Sequence, residues 1–358
     1  MQRLYLVTGA NGHVGYTLVS LLRSQAKHVR GLILPKDSSS RLDPLGVEVY
    51  RGDVTKPETL EAFFDISKTT FKPEDVVVIH TAGIISISNK KNPLLEKVNI
   101  FGTRHIVNLS LKHHIGLMIH VSSVHAIPEK PDQKTIQEVS QFNPDDVVGV
   151  YAKSKAQASK EVLEAISKGL PAIIVHPSGI IGPHDDGHGH MTMMIEDYLN
   201  GYLTSRVQGA YDFVDVRDVA QGIIQAIDHG HIGSCYILSG HRIDLKDLFE
   251  QLRLLSGRKH RIHVLPRWFA SMTVPLAEVF YRMRKLPPIY SKYSLYTLSS
   301  NSFFSHEKAT SDFNYSPRPI EETLRDTVLW MADVNRVKRT RIKAFIQQFI
   351  TLKKKSGA

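Results

Sequence analysis

A chain of 358 residues, 42% hydrophobic and 22% charged, carries enough apolar material for a sizeable core and exceeds one small domain. Its single cysteine, Cys235, excludes an internal disulfide framework, and no apolar run approaches the ~18 residues of a spanning helix. The formal charge of +10 is local: eight Lys and Arg residues and no acid lie between Arg336 and Ala358, leaving +2 for the body, which gives no reason to expect a nucleic-acid binder.

Met1 runs almost directly into Leu4-Tyr5-Leu6-Val7 without a basic and apolar leader, so the sequence reads as cytoplasmic. Short β-rich runs at 5–8, 29–34, 47–51, 76–80, 117–122 and 172–177 alternate with helical patterns at 12–23, 58–64, 94–114 and 150–167. That rhythm predicts a Rossmann-type doubly wound parallel sheet, an α/β fold with crossover helices. Several runs are apolar without alternation, as strands covered on both faces should be. Beyond 180 the rhythm loosens into a turn-rich loop at 182–190, a helix at 191–199, a strand–helix pair at 212–228, a strand from Cys235 and a helix at 245–256. The expected division is a dinucleotide-binding domain over 1–180 with returns from about 210–240, a smaller, interleaved substrate-binding part over 181–330, and a basic amphipathic tail over 331–358.

Gly9, Gly12 and Gly15 follow the first strand and open the first helix in Thr8-Gly9-Ala10-Asn11-Gly12-His13-Val14-Gly15. Gly9 permits a tight turn, Gly12 lets a pyrophosphate approach the backbone, and Gly15 allows close helix–strand packing. The phosphates then meet free N–H groups of Asn11, His13 and Val14 at the helix start. After the second strand stands Leu34-Pro35-Lys36-Asp37. Lys36 can reach a 2′-phosphate and Asp37 a ribose, and the reading leans to the phosphorylated dinucleotide. Asp53-Val54 after the third strand would meet adenine, and Thr81-Ala82-Gly83 after the fourth would let the cofactor cross the sheet edge.

Tyr151 and Lys155 are four apart in a helical run and share one face. A neighbouring ammonium, helped by a cationic nicotinamide, should bring the phenol below its usual ~10 and suit it to proton transfer at a carbonyl or alcohol. His120-Val121-Ser122-Ser123 closes a strand; neighbours alternate sides, so one of the two serines can donate to a developing oxyanion, with capping as the alternative, and the family resemblance given below makes it Ser123. Asn99, early in the helix at 94–114, is placed to orient Lys155 or a water, with capping or packing as its plain alternative. The loop with His184, Asp185, Asp186, His188 and His190 matches no strong zinc template. It is read as substrate-contacting, and no metal is expected. Trp268, Phe269, Met272, Leu276, Val279 and Phe280 recur at near-helical spacing, which favours a core face over an apolar lid. In the tail, Phe345, Phe349 and Leu352 line one side of a basic amphipathic helix, solvated or packed, with peripheral contact to anionic membrane as the alternative.

TGANGHVG (8–15), GDVT (52–55), HTAG (80–83), Asn99, VSS (121–123), YAKSK (151–155), HPSGIIGP (176–183) and FVDVRDVA (213–220) together resemble the extended branch of the short-chain dehydrogenase/reductase superfamily, over roughly 1–330. Within it the chain is most similar to the dihydroflavonol reductase and beta-hydroxysteroid dehydrogenase group of the NAD-dependent epimerase/dehydratase family. The resemblance implies a Ser123-Tyr151-Lys155 triad supported by Asn99, with Pro177, Gly179 and Ile180 beside the nicotinamide. It also implies a homodimer through the helices at 94–114 and 150–167. His125-Ala126-Ile127-Pro128 departs from the frequent SSxxVYG pattern, so the substrate contacts should differ. The expected activity is an NAD(P)(H)-dependent interconversion of a secondary alcohol and a ketone on a fairly apolar small molecule. The alternatives are a nucleotide-sugar epimerase or dehydratase and, in another class, a cofactor-sensing protein without turnover, against which an intact Tyr151 and Lys155 argue.

Overall fold

Among the described residues the strands are β1 (Leu4–Thr8), β2 (His28–Ile33), β3 (Glu48–Arg51), β4 (Val76–His80), β5 (Leu117–Val121), β6 (Ala172–Pro177), β7 (Gly179–Ile181), β8 (Ser205–Val207), β9 (Ala210–Asp215), β10 (Cys235–Leu238), β11 (His241–Asp244) and β12 (His263–Leu265), of which β7, β8, β11 and β12 answer to no run singled out in the sequence. The helices of ten residues or more are α1 (His13–Ser24), α2 (Thr103–Lys112), α3 (Val150–Ser167), α4 (His190–Asn200), α5 (Val216–His229), α6 (Leu245–Ser256), α7 (Arg267–Met283) and α8 (Ile320–Asp333). This computed structural model describes residues 2–87, 92–129, 134–187, 189–258, 262–283 and 291–337.

The described chain forms two compact units. The first takes Met1–Ser178, Arg217–Ser239 and Phe304–Ser316. Its sheet runs β10-β6-β5-β4-β1-β2-β3, every pair parallel. From β1 the chain builds outward through β2 and β3, then crosses back to β4 on the other flank of β1. The C-terminal ends of β1 and β4 therefore border the crevice where the strand order reverses, the place such sheets keep for a ligand. β1, β4 and β6 are buried at every residue, in keeping with sequences apolar on both faces. Cys235 on β10 is buried, and burial pushes its thiol up to about 12, so it serves as packing. The return at Phe304–Ser316 is pinned where the Tyr315 hydroxyl donates to the Ser239 carbonyl at 3.0 Å.

The second unit takes Gly179–Val216, Gly240–Phe303 and the chain from Pro317 onward. It holds a three-stranded sheet, β11-β9-β7, and a pair, β12-β8. Tyr198 on α4, Phe249 and Leu252 on α6, and Leu324 and Met331 on α8 share its core.

Four expectations change. The helix at 58–64 is a 3₁₀ turn over Pro57–Thr59 followed by a single α turn, Glu61–Phe64. The helix at 94–114 runs without a break from Pro93 to Lys112 but is not α throughout: Pro93–Glu96 passes into a π-helical stretch, Lys97–Gly102, before α2. That stretch turns buried Asn99 toward Ile84 and sets Gly102 so close to Val54 that a Cβ would lie 2.8 Å from Val54 Cγ2. Arg336, counted above with the tail, is docked: it donates to the carbonyls of Asp185 and Asp186 and lies 5.0 Å over the Trp330 ring. The apolar spacing at 266–281 does form a helix, α7, but Trp268, Phe269, Met272, Leu276 and Val279 face outward; among its described side chains only Ala270 and Val274 are buried, against Leu295. Phe345, Phe349 and Leu352 lie outside the described residues, as do the side chain of Phe280 and all of His188.

Candidate active site

Every residue of the predicted triad, and most of the predicted cofactor set, belongs to the first unit. β1 ends in a turn at Gly9, whose φ of 67° and approach to Ala82 (2.9 Å from a built Cβ to Ala82 Cα) admit only glycine. Gly15 packs its Cα against the Gly9 carbonyl so closely that a Cβ would sit 2.1 Å from that oxygen. Gly12 differs: a Cβ there would meet only Gly9 O, at 3.2 Å, with open space beyond. No protein neighbour requires that glycine, whereas a diphosphate drawn close to the backbone would. Gly12 is the N-cap of α1 and offers no side-chain cap, so the first-turn N–H groups that follow it lie at the positive end of the dipole, where an anion is favoured. Asn11 ties this turn to the loop after β2 by donating to Ser38 O at 2.7 Å. The residues present thus fit a dinucleotide.

Side-chain bonds lock the switch point. Thr81 Oγ1 donates to Thr8 O at 2.6 Å, and Ala82 N donates to Thr8 Oγ1. Thr8 Oγ1 bonds His80 Nδ1 at 2.8 Å, and His80 Nε2 bonds Thr103 Oγ1 at 3.1 Å. Thr103 spends its own proton on Asn99 O, so His80 must carry its proton on Nε2. Asn99 accepts from Ile84 N at 2.8 Å and donates to Ile84 O and to Ser154 Oγ. Its side chain therefore clasps the loop after β4 to α3 and does not bond Lys155. A Cβ on Gly83 would lie 3.3 Å from Asn99 Oδ1 and 3.4 Å from Lys155 Nζ, which puts this glycine beside both.

At the end of β5 the two serines separate. Ser122 Oγ bonds Ser159 Oγ at 2.7 Å, facing the middle of α3. Ser123 Oγ accepts from His125 N at 3.3 Å, and the His125 ring meets Tyr151 edge-on at 6.0 Å. Lys155 Nζ donates to Val121 O at 2.9 Å. Tyr151 and Lys155 are both buried, 7% and 6% exposed. Burial pushes Tyr151 up to about 12, against a smaller lowering by Ser123, and pushes Lys155 down to about 8. The ammonium is engaged by a carbonyl and loses hydration, so the protein by itself holds a protonated phenol.

Beneath these groups lie histidines that the sequence reading passed over. His80 and His120 are register partners on β4 and β5, their rings stacked at 5.7 Å. His176 on β6 donates from Nδ1 to Ser123 O at 3.0 Å. All three are at most 1% exposed, and burial, with the charge of Lys155, keeps them neutral. Their signal in the sequence is a polar residue at or near the end of each apolar strand.

The remaining predicted residues fall as follows. Lys36 is exposed and Asp37 half-buried, in a loop held where Arg51 donates to the carbonyls of Pro35 and Asp37. Arg41, missed in the sequence because the loop has no periodicity, lies 3.7 Å over the ring of Tyr16, the residue after Gly15. Asp53 uses Oδ1 to accept from Thr55 N and Oγ1. Val54 is buried in the core and its carbonyl bonds His105. Pro177 closes β6, whereas Gly179 and Ile180 belong to β7 of the second unit, where Tyr211 and Asp212 leave no room for a Cβ on Gly179. Asp185 is buried and accepts from Gly189 N and Thr192 Oγ1, capping the start of α4.

A parallel sheet with a glycine turn at its switch point and buried hydroxyls at the next strand end defines the doubly wound dinucleotide-binding class. The profile of the NAD dependent epimerase/dehydratase family matches residues 5–237. The chain is 27% identical to sterol demethylase protein B of Methylococcus capsulatus, over 92% of this chain and 98% of that one. It is 27% identical to 3 beta-hydroxysteroid dehydrogenase type 7 of Mus musculus, over 92% and 95%. The crystal structure of gox2253 superposes with a TM-score of 0.80 at 30% identity, covering 94% of this chain and all of that one. The chain belongs to the NAD dependent epimerase/dehydratase family, within the extended short-chain dehydrogenase/reductases, and is an NAD(P)-dependent enzyme.

Proposed function

We propose that this enzyme interconverts a secondary alcohol and a ketone on a fairly apolar small molecule, with NADP(H) as coenzyme. The observation that carries the reading is the burial of Tyr151 and Lys155 one helical turn apart on α3, with Ser123 at the end of β5 bonded by His125, whose ring meets Tyr151. In reduction, Ser123 and Tyr151 hold the carbonyl oxygen, and Tyr151 gives it the phenolic proton as the alcohol forms. The bound nicotinamide supplies or accepts the hydride. A phenol held protonated at neutral pH is the form that reduction requires. Lys155, fixed by Val121 O, stabilises the phenolate left behind. Asn99 is a positioning residue: through Ile84 and Ser154 it sets the Gly83 loop against the helix bearing Tyr151 and Lys155.

Gly9, Asn11, Gly12, His13, Val14 and Gly15 would hold the pyrophosphate, Asp53 and Val54 the adenine, and Thr81, Ala82, Gly83 and Pro177 the path toward the nicotinamide. For NADP(H), the support is the loop after β2, which has Leu34 where an acid would bind a free ribose and two cations, Lys36 and Arg41, beyond it. An apolar substrate accords with the steroid and sterol named for two relatives. A homodimer through helices 94–114 and 150–167 and a cytoplasmic setting complete the proposal. Among the described residues no helix is long and apolar enough to cross a membrane.

The test follows absorbance at 340 nm with NADPH and NADH against apolar ketones and nucleotide sugars. Net oxidation of NADPH by a ketone is expected. Interconversion of nucleotide sugars without net oxidation, and inactivity toward every ketone, would replace the reading with the epimerase one.

A further inference from the structure

α7 presents an apolar stripe to solvent. Trp268, Met272, Leu276, Val279 and Met283 are 66%, 69%, 74%, 53% and 80% exposed. At about 100° per residue they fall within roughly an 80° arc, and Phe269, 43% exposed, lies just beside it. The buried residues Ala270 and Val274 fall on the opposite side and pack against Leu295. The helix is thus anchored by its small residues and shows its large ones outward, the reverse of a surface helix in a water-soluble fold. From Trp268 to Met283 the stripe is ~22 Å long.

The sequence that carries the stripe is equally one-sided in charge. Between Gly257 and Lys292 stand eight Lys and Arg residues against one acid, Glu278, whereas the whole chain has 45 against 35. We propose that α7 lies in the plane of an anionic phospholipid bilayer, its stripe among the acyl chains and its flanking cations at the headgroups. Apart from Trp268, the stripe consists of Met272, Leu276, Val279 and Met283, which offer a nucleic acid no stacking surface and no hydrogen bond, and a second copy would bring a net +7 segment against its like. Seventeen residues interrupted by Pro275 suit lying on a bilayer rather than crossing it. The inference stands apart from the catalytic reading, because it rests on residues that reading does not use.

The experiment is flotation of the full chain with vesicles of phosphatidylcholine alone or mixed with phosphatidylglycerol, together with tryptophan emission. Of the two tryptophans, Trp330 is only 9% exposed, so a lipid-induced blue shift reports Trp268. Binding and a blue shift are expected with the anionic vesicles and at least a tenfold loss with neutral ones. The variant W268Q/M272Q/L276Q, altered only at exposed positions and with a good helix former, should keep its thermal midpoint and lose binding at least tenfold. A full chain carrying K353Q/K354Q/K355Q should retain most of it, separating α7 from the tail. The proposal is overturned if wild type does not float, if the tail variant loses binding while the helix variant keeps it, or if the stripe instead supports lipid-free self-association that the helix variant abolishes.

Discussion

Acidification from pH 7 to pH 5 should destabilise the protein through His80, His120 and His176. Burial is the largest cause of their lowered values: His80 falls to about 3, His176 to about 4, and His120 well below 6.5, with Lys155 adding to each. In the unfolded chain each titrates near 6.5. Because the folded values are depressed, the unfolded state takes up protons first. Stability is intact above ~6.5 and is lost as the pH falls toward the folded values. At pH 5 the gap is ~1.5 units per histidine, or about 2 kcal/mol each at 1.36 kcal/mol per unit. The three together approach about 6 kcal/mol, a large share of a typical 5–15 kcal/mol. Urea unfolding followed by circular dichroism at the two pH values measures the difference. His120→Gln removes one titrating group and should shrink it by about 2 kcal/mol. Equal stability of wild type at pH 7 and pH 5, or an undiminished difference in the variant, would refute the argument.

Gly15→Ala should destabilise by about 3 kcal/mol, the upper end for overpacking, because its Cβ would meet the Gly9 backbone at 2.1 Å; thermal melts and coenzyme titration check it. Lys36→Ala with Arg41→Ala should weaken NADPH at least tenfold while leaving NADH within about twofold, as isothermal titration would read, a contrast expected of a lost 2′-phosphate pair. Ser123→Ala should lower kcat by roughly 10²-fold with coenzyme affinity unchanged, the cost of one oxyanion donor in steady-state kinetics.

Much of the frame was legible because its signals are local. The runs at 76–80, 172–177 and 150–167 match β4, β6 and α3 to the residue, since apolar stretches with polar or turn-forming borders leave little choice. The π stretch around Asn99 was not legible: it depends on Ile84 and Val54, fifteen and 48 residues from their partners Asn99 and Gly102, and no local propensity reports them. Periodicity revealed a stripe on α7 but not which way it faces, because Ala270 and Val274 suffice to anchor the helix. The expected acidic phenol counted on a bound cationic nicotinamide as well as Lys155; in the chain alone, burial of both side chains acts the other way, and local spacing does not report burial. Arg41 and Tyr16 meet only in the folded chain.

The central claim is that the Tyr151 hydroxyl moves the proton that accompanies hydride transfer. Single-turnover oxidation of NADPH by a reducible ketone, run beside coenzyme titration for wild type and Tyr151→Phe, measures this most directly. Loss of turnover by at least 10³-fold with NADPH affinity changed less than about twofold is the predicted result. A variant that still reduces the ketone at a rate near wild type would contradict it.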